Sequence, residues 1–136
     1  MTNQTHIRET PVEPEHASAP DAPLSSFCPR FHYAVELLGR RWIGAIVRVL
    51  MNGPRRFNEL LAAVPGLSDR LLTERLRELE REGIVVRAVH DERPVRVTYA
   101  LTESGESLDP ILRSVSDWAE RWVDFIPVCP SEEKTA

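Results

Sequence analysis

The stretch PGLSDRLLTERLRELEREG, residues 65–83, decides how this chain folds. Pro65-Gly66 interrupts what precedes it, Ser68 offers an oxygen to cap a new helix, and Asp69 suits the positive end of that helix's dipole. Leu72, Leu76 and Leu79 then recur at helical spacing until Gly83 ends the run. Taking about 100° per residue from Leu72, Leu76 falls near 40° and Leu79 near 340°, whereas Thr73, Arg77, Arg70, Arg81 and Glu74 lie between about 100° and 200°. One face is leucine, and the other is cationic and polar.

Upstream, Phe57, Leu60, Leu61 and Val64 mark a helix of about two turns, so Pro65-Gly66-Leu67 joins a short helix to a capped one, the helix-turn-helix arrangement. Before the Asn52-Gly53-Pro54 stop, the run Trp42, Ile43, Ile46, Val47, Val49, Leu50 and Met51 is apolar over so wide an arc that its helix belongs at the centre. Phe31, Ala34, Val35 and Leu38 predict a first helix, with Pro29 suited to its opening position and Gly39 at its end. Downstream, Val85–His90 alternates, Asp91-Glu92-Arg93-Pro94 turns the chain, and Val95–Leu101 resumes with β-branched and aromatic residues, which reads as a hairpin. Thr102 caps a last helix in which Leu108, Ile111, Leu112, Val115, Trp118, Ala119, Trp122 and Phe125 or Ile126 recur, with Pro110 either kinking it or starting its main part after Asp109. The expected fold is mainly α with a small β-hairpin wing, a winged helix-turn-helix over residues 27–126. Residues 1–26, with Pro11, Pro14, Pro20 and Pro23, read as a disordered arm, and residues 127–136 as a flexible acidic tail.

A chain of 136 residues, 28% charged and 42% hydrophobic, suffices for one domain with a real core and excludes a large multidomain enzyme. No run of about 18 apolar residues is available to span a membrane, and the first 26 residues lack the apolar core of a secretory signal. The expected location is cytoplasmic, with no membrane partner. The net charge of -4 argues against a generic polyanion binder, but it hides an uneven distribution. Residues 40–81 carry nine basic against five acidic groups, whereas residues 102–136 carry three against eight. Of the 17 basic residues only Lys134 is not arginine, which suits bidentate contacts to phosphate or guanine. Arginine-rich codon composition explains that count equally well, so position must decide.

With the reading helix in a major groove, Arg70, Thr73, Glu74 and Arg77 reach base edges, and Arg81 meets phosphate. Arg93 and Arg96 flank Pro94 at the hairpin tip and approach a minor groove or backbone, although Asp91 and Glu92 beside them oppose this. Ser68 and Arg56 complete the candidate DNA-contacting set. The same charges also fit a merely solvated helix decorated by pairs such as Arg70/Glu74 and Arg77/Glu80. Trp118, Trp122 and Phe125 add more apolar surface than so small a domain readily buries, which a partner helix would cover. Packing of these rings back onto Trp42 as ordinary core is the alternative.

Several pieces together resemble a known family: Cys28-Pro29, Gly39-Arg40-Arg41-Trp42, the run Gly53-Pro54-Arg55-Arg56-Phe57-Asn58-Glu59-Leu60, the segment from Leu72 to Glu80, and Val97-Thr98-Tyr99-Ala100-Leu101-Thr102. In order and spacing they are similar to the HxlR-type winged-helix transcriptional regulators, relatives of the MarR group, over roughly residues 28–123. The family pattern usually has Gly-Gly-Lys-Trp, so Arg40 departs from it, as does the proline-containing arm. The resemblance implies a homodimer paired through the first and last helices, here Phe31, Val35, Val115, Trp118, Trp122 and Phe125, binding double-stranded operator DNA near its own promoter region as a repressor.

Cys28 sits at the expected start of the first helix with Arg30 close by, a setting that favours a reactive sulfur. Some members of the resembled family sense electrophiles or oxidants through a cysteine near this position; a small, inert residue is the other reading. Cys129, before an acidic tail, is the lesser candidate. Cys28 and His32 share a helical side, but nothing in the sequence completes a metal site, and no metal or cofactor is expected. No phosphate loop, activated nucleophile or carboxylate pair stands out, so catalysis has no support. A winged-helix protein-interaction module that does not read DNA sequence and a small-molecule effector site among the aromatics remain as competing or additional functions.

Overall fold

The computed structural model describes residues 26–126. The expected arm before Ser26, the acidic tail and Cys129 lie outside the described residues. In chain order the elements are α1 (Pro29–Leu38), α2 (Ile43–Leu50), α3 (Phe57–Ala63), α4 (Asp69–Arg81), β1 (Val85–His90), β2 (Arg96–Leu101), α5 (Glu103–Glu106) and α6 (Asp109–Trp122). The fold is a winged helix: α2, α3 and α4 enclose the core and the hairpin follows directly behind α4.

The wide apolar arc of α2 places Ile43, Ile46, Val47 and Leu50 in that core. Leu60 of α3 and Leu72, Leu76 and Leu79 of α4 meet them, while Val64 and Leu67 close the turn between the two helices. Ile84 and Val85 seal the hairpin end. Burying each such side chain contributes about 1.5–3 kcal/mol, so this cluster is the main stabilisation of the domain.

The entry to α2 differs from what Gly39 suggests. Gly39 is right-handed at φ -84°, and the left-handed step falls on Trp42 at φ 79°. A non-glycine residue there costs about 1–2 kcal/mol. Three contacts hold it: the Arg41 guanidinium lies 4.9 Å above the indole, Arg75 Nε donates to the Arg41 carbonyl at 2.8 Å, and the indole crosses Gly66. A Cβ on Gly66 would stand 3.3 Å from that ring, and its φ of +90° also favours glycine. Neither Gly39 nor Arg40 has positive φ, so the arginine in place of a second family glycine brings no backbone strain.

The hairpin pairs antiparallel from Val85 with Leu101 to His90 with Arg96, one residue shorter in its second strand than the sequence reading. An isolated bridge adds Arg55 to it: Arg55 N–H donates to the Tyr99 carbonyl at 2.9 Å, and Tyr99 N–H returns the bond at 2.8 Å. This rung ties the turn before α3 to the wing. Of the two readings of the last helix, the second holds. Thr102 caps only the short α5, by accepting from Gly105 N–H at 3.2 Å, and α6 begins at Asp109 with Pro110 in its first turn. Phe125 and Ile126 fall beyond its end at Trp122.

Candidate nucleic-acid interface

The N-terminus of α4 forms as its sequence dictates, with Ser68 Oγ accepting from Leu71 N–H at 3.1 Å. The Ser68 oxygen therefore acts first as a cap. Thr73 Oγ1 donates to the Asp69 carbonyl at 2.9 Å, which leaves its lone pairs to accept from a ligand. Arg70 Nε lies 3.3 Å from Glu74 Oε2 with the arginine side chain 88% exposed, an ion pair of well under about 1 kcal/mol that leaves the guanidinium easily exchanged to another anion. Arg77 and Arg81 are exposed and have no ion pair among the described residues, so the Arg77/Glu80 pairing of the solvated-helix reading is not formed.

The wing brings Arg56, Arg93 and Arg96 together around a cleft of about 350 Å³, with Glu92 on its wall. Glu59 accepts from the backbone N–H of Arg56 at 2.8 Å, fixing the start of α3 at this point. Glu92 Oε2 meets Arg96 at 3.0 Å, so the acid flagged in the sequence does occupy one wing cation. A second cleft, of about 370 Å³, lies between α3, α4 and the hairpin and adds Arg87 to Thr73 and Arg77. Arg87 was missed because strand alternation says which face a residue takes, not which helix lies beside it.

The flank of α4 was missed too. Arg75, Glu78 and Glu82 form an i, i+3, i+7 stripe between the leucine and reading faces. Arg75 pairs with Glu78 at 3.1 Å, Arg40 approaches Glu78 at 3.6 Å, and Tyr33 Oη donates to Glu82 Oε2 at 2.5 Å. That hydrogen bond, then burial, then the Glu82 charge hold the Tyr33 hydroxyl above its ordinary titration range, with Arg40 acting in the opposite sense.

The large apolar residues expected at an interface are uncovered. Phe31, Val115, Trp118, Trp122 and Phe125 are each more than half exposed and Val35 is 49% exposed, so the aromatics do not pack back onto Trp42 as core. On α6 one stripe, Leu108, Leu112, Ser116, Ala119 and Val123, is at least partly covered by its own domain. A neighbouring stripe, Ile111, Val115, Trp118 and Trp122, is not. Cys28 is exposed at the α1 N-cap, its sulfur accepting from Phe31 N–H at 3.4 Å. His32, four residues on, packs its ring against Phe27 at 5.4 Å, and no group of three metal-ligating side chains gathers among the described residues.

The HxlR-like helix-turn-helix family matches residues 37–126, from the last turn of α1 to the end of the described chain. The chain belongs to that family. Its HxlR-type relatives include the uncharacterized HTH-type transcriptional regulator YvaP of Bacillus subtilis (strain 168), 53% identical over 100 residues, covering 74% of this chain and 93% of YvaP. YodB, an HTH-type transcriptional regulator of the same organism, is 42% identical over 110 residues, covering 81% of this chain and 98% of YodB. The solved reduced form of YodB superimposes with a TM-score of 0.68 over 74% of this chain and 99% of that one, at 42% identity. YodB has also been solved diamide-treated and quinone-bound, and the redox regulator HypR, 38% identical in its oxidized form, matches with a TM-score of 0.66 over 71% of this chain and 99% of its own. This protein is accordingly a DNA-binding transcriptional regulator of the HxlR and MarR type. The matched segment leaves out most of α1, so Cys28, Phe31 and Tyr33 lie outside it. Among the described residues no helix is long and apolar enough to cross a membrane.

Proposed function

We propose that this protein is a homodimeric repressor that reads a two-fold symmetric operator with Arg70, Thr73, Glu74 and Arg77 at base edges and Arg81 on phosphate. Ser68, Arg56, Arg93 and Arg96 meet the flanking backbone. The observation that carries this is the division of α4, whose leucine stripe is fully buried while the opposite face presents exposed arginines. The uncovered stripe on α6 and the exposed Phe31 and Val35 of α1 supply the dimer surface, and a two-fold dimer presents two reading helices to a palindrome. Repression follows from occupying the promoter region.

The test is selection of bound sequences from random duplex DNA, followed by titration across a salt series. A palindromic consensus and a steep negative slope of log affinity against log salt are expected, because each neutralised phosphate releases counterions. A flat salt response with no selected sequence would leave the protein-interaction module standing instead.

Cys28 is the proposed sensor, with an electrophile or oxidant as the effector. Its exposed sulfur at the end of a proposed dimer helix supports this, as do the treated and quinone-bound forms in which YodB was solved. A shift of α1 by an ångström or two then alters the separation of the reading helices. Wild type and Cys129→Ser should lose operator binding on treatment with diamide or a quinone, while Cys28→Ser should not. Retained sensitivity in Cys28→Ser would remove the assignment.

A further inference from the structure

Every residue from Pro29 to Glu36 is exposed, and α1 first enters the core at Leu37. The first two turns of α1 thus project from the domain with almost no packing to fix their direction. What reaches back from them is Tyr33, whose hydroxyl bonds Glu82 across 49 residues of sequence. Glu82 is the C-cap of α4, directly after Arg81. We propose that Tyr33, acting through Glu82, is the positioning residue that sets the angle between α1 and the reading helix and so fixes the half-site spacing the dimer accepts. The proposal rests on the two-fold reading above.

The geometry supports a lever. Eight residues of helix separate Pro29 from Leu37, about 12 Å of rise, so a swing of about 10° moves the Pro29 end by roughly 2 Å. Two protomers on one dyad double that error to about 4 Å, comparable to the 3.4 Å rise of one base pair. An untethered α1 therefore blurs spacing by about one base pair. Arg75 and Glu78 cannot replace the tether, because they hold the linker at Arg40 and Arg41 rather than α1 itself. The reading face of α4 lies on its other side, so loss of the tether leaves base contacts untouched.

The experiment uses the full chain and duplexes carrying the selected half-site singly, and in pairs at the selected spacing and at one and two base pairs more or less. Wild type should prefer one spacing by about tenfold or more over its neighbours. Tyr33→Phe, which deletes only the hydroxyl of an exposed ring, should cut that preference to about threefold or less while binding a single half-site as wild type does. Glu82→Ala should match it, and Glu82→Gln, which keeps an acceptor for the hydroxyl, should retain the preference. Wild-type spacing profiles in Tyr33→Phe and Glu82→Ala overturn the inference and leave the operator reading intact. Equal weakening at every spacing and at the single half-site also overturns it, by assigning Tyr33 to the reading helix itself. A wild type indifferent to spacing overturns the two-fold reading and the inference together.

Discussion

Replacing Trp118 with alanine tests the proposed dimer most directly, because the indole is 61% exposed in the single chain and its loss leaves the core alone. If a tryptophan offers about 250 Å², some 150 Å² of each ring awaits cover, which at about 25 cal/mol per Å² corresponds to roughly 4 kcal/mol of gross burial. Association returns only part of such a figure after ordering and desolvation, so about 2 kcal/mol per ring is the better expectation. A two-fold interface contains each substitution twice, which raises the cost to about 4 kcal/mol and the dimer Kd by about a thousandfold. Trp122, 64% exposed one turn further along, should behave alike, and the pair should abolish dimerisation at micromolar concentration. Sedimentation velocity over a dilution series reads the constant, and circular dichroism checks that the variant remains folded. A folded Trp118→Ala protein whose Kd rises by less than about tenfold would refute the burial reasoning, and a wild type that is monomeric at micromolar concentration would refute the interface.

Arg77→Ala should weaken operator binding by about 1–3 kcal/mol and relax sequence preference, whereas Arg81→Ala should weaken all sequences alike and lower the salt slope by roughly one; titrations on operator and scrambled DNA separate the two, and unchanged affinity in both removes α4 as the reader. Gly105→Ala would place a Cβ 3.0 Å from the Leu101 side chain and 2.4 Å from the Ile84 carbonyl, a backbone atom that cannot yield cheaply. A loss of about 3 kcal/mol and a Tm lower by roughly 10 °C or more are expected by thermal unfolding, and a fall of less than about 3 °C contradicts the packing account. Tyr33 bonds Glu82 through its protonated hydroxyl and titrates above the ordinary tyrosine value, so the tether is fully present below about pH 10 and is lost as pH rises through the raised value. Phenolate absorbance should show the Tyr33 transition moving down in Glu82→Ala, and an unmoved transition would sink the assigned cause.

The elements legible in the order of residues are those whose signals are local. Ser68 and Asp69 mark where α4 starts, Gly83 marks where it stops, and the spacing of Leu72, Leu76 and Leu79 separates its buried face from Arg70, Arg77 and Arg81, because a helix converts spacing into direction at a fixed angle per residue. The run Val85–His90 and the Asp91–Pro94 turn mark the wing as a hairpin, but only Val85 of that strand is buried, so alternation there did not separate a core face from a solvent face. What lies beside each face depends on the path of the chain through space. Spacing placed Trp118 and Trp122 on a stripe but did not say whether Trp42 or solvent stood opposite, since either burial lowers the same free energy and only the path of α6 distinguishes them. The left-handed backbone at Trp42 was hidden because its cost is offset by Arg41 beside it, Gly66 of the turn between α3 and α4, and Arg75 of α4. The Arg55 bridge to Tyr99 and the Tyr33 bond to Glu82 join positions 44 and 49 residues apart. No local periodicity encodes such a pair, because its geometry exists only once the core has closed around α2.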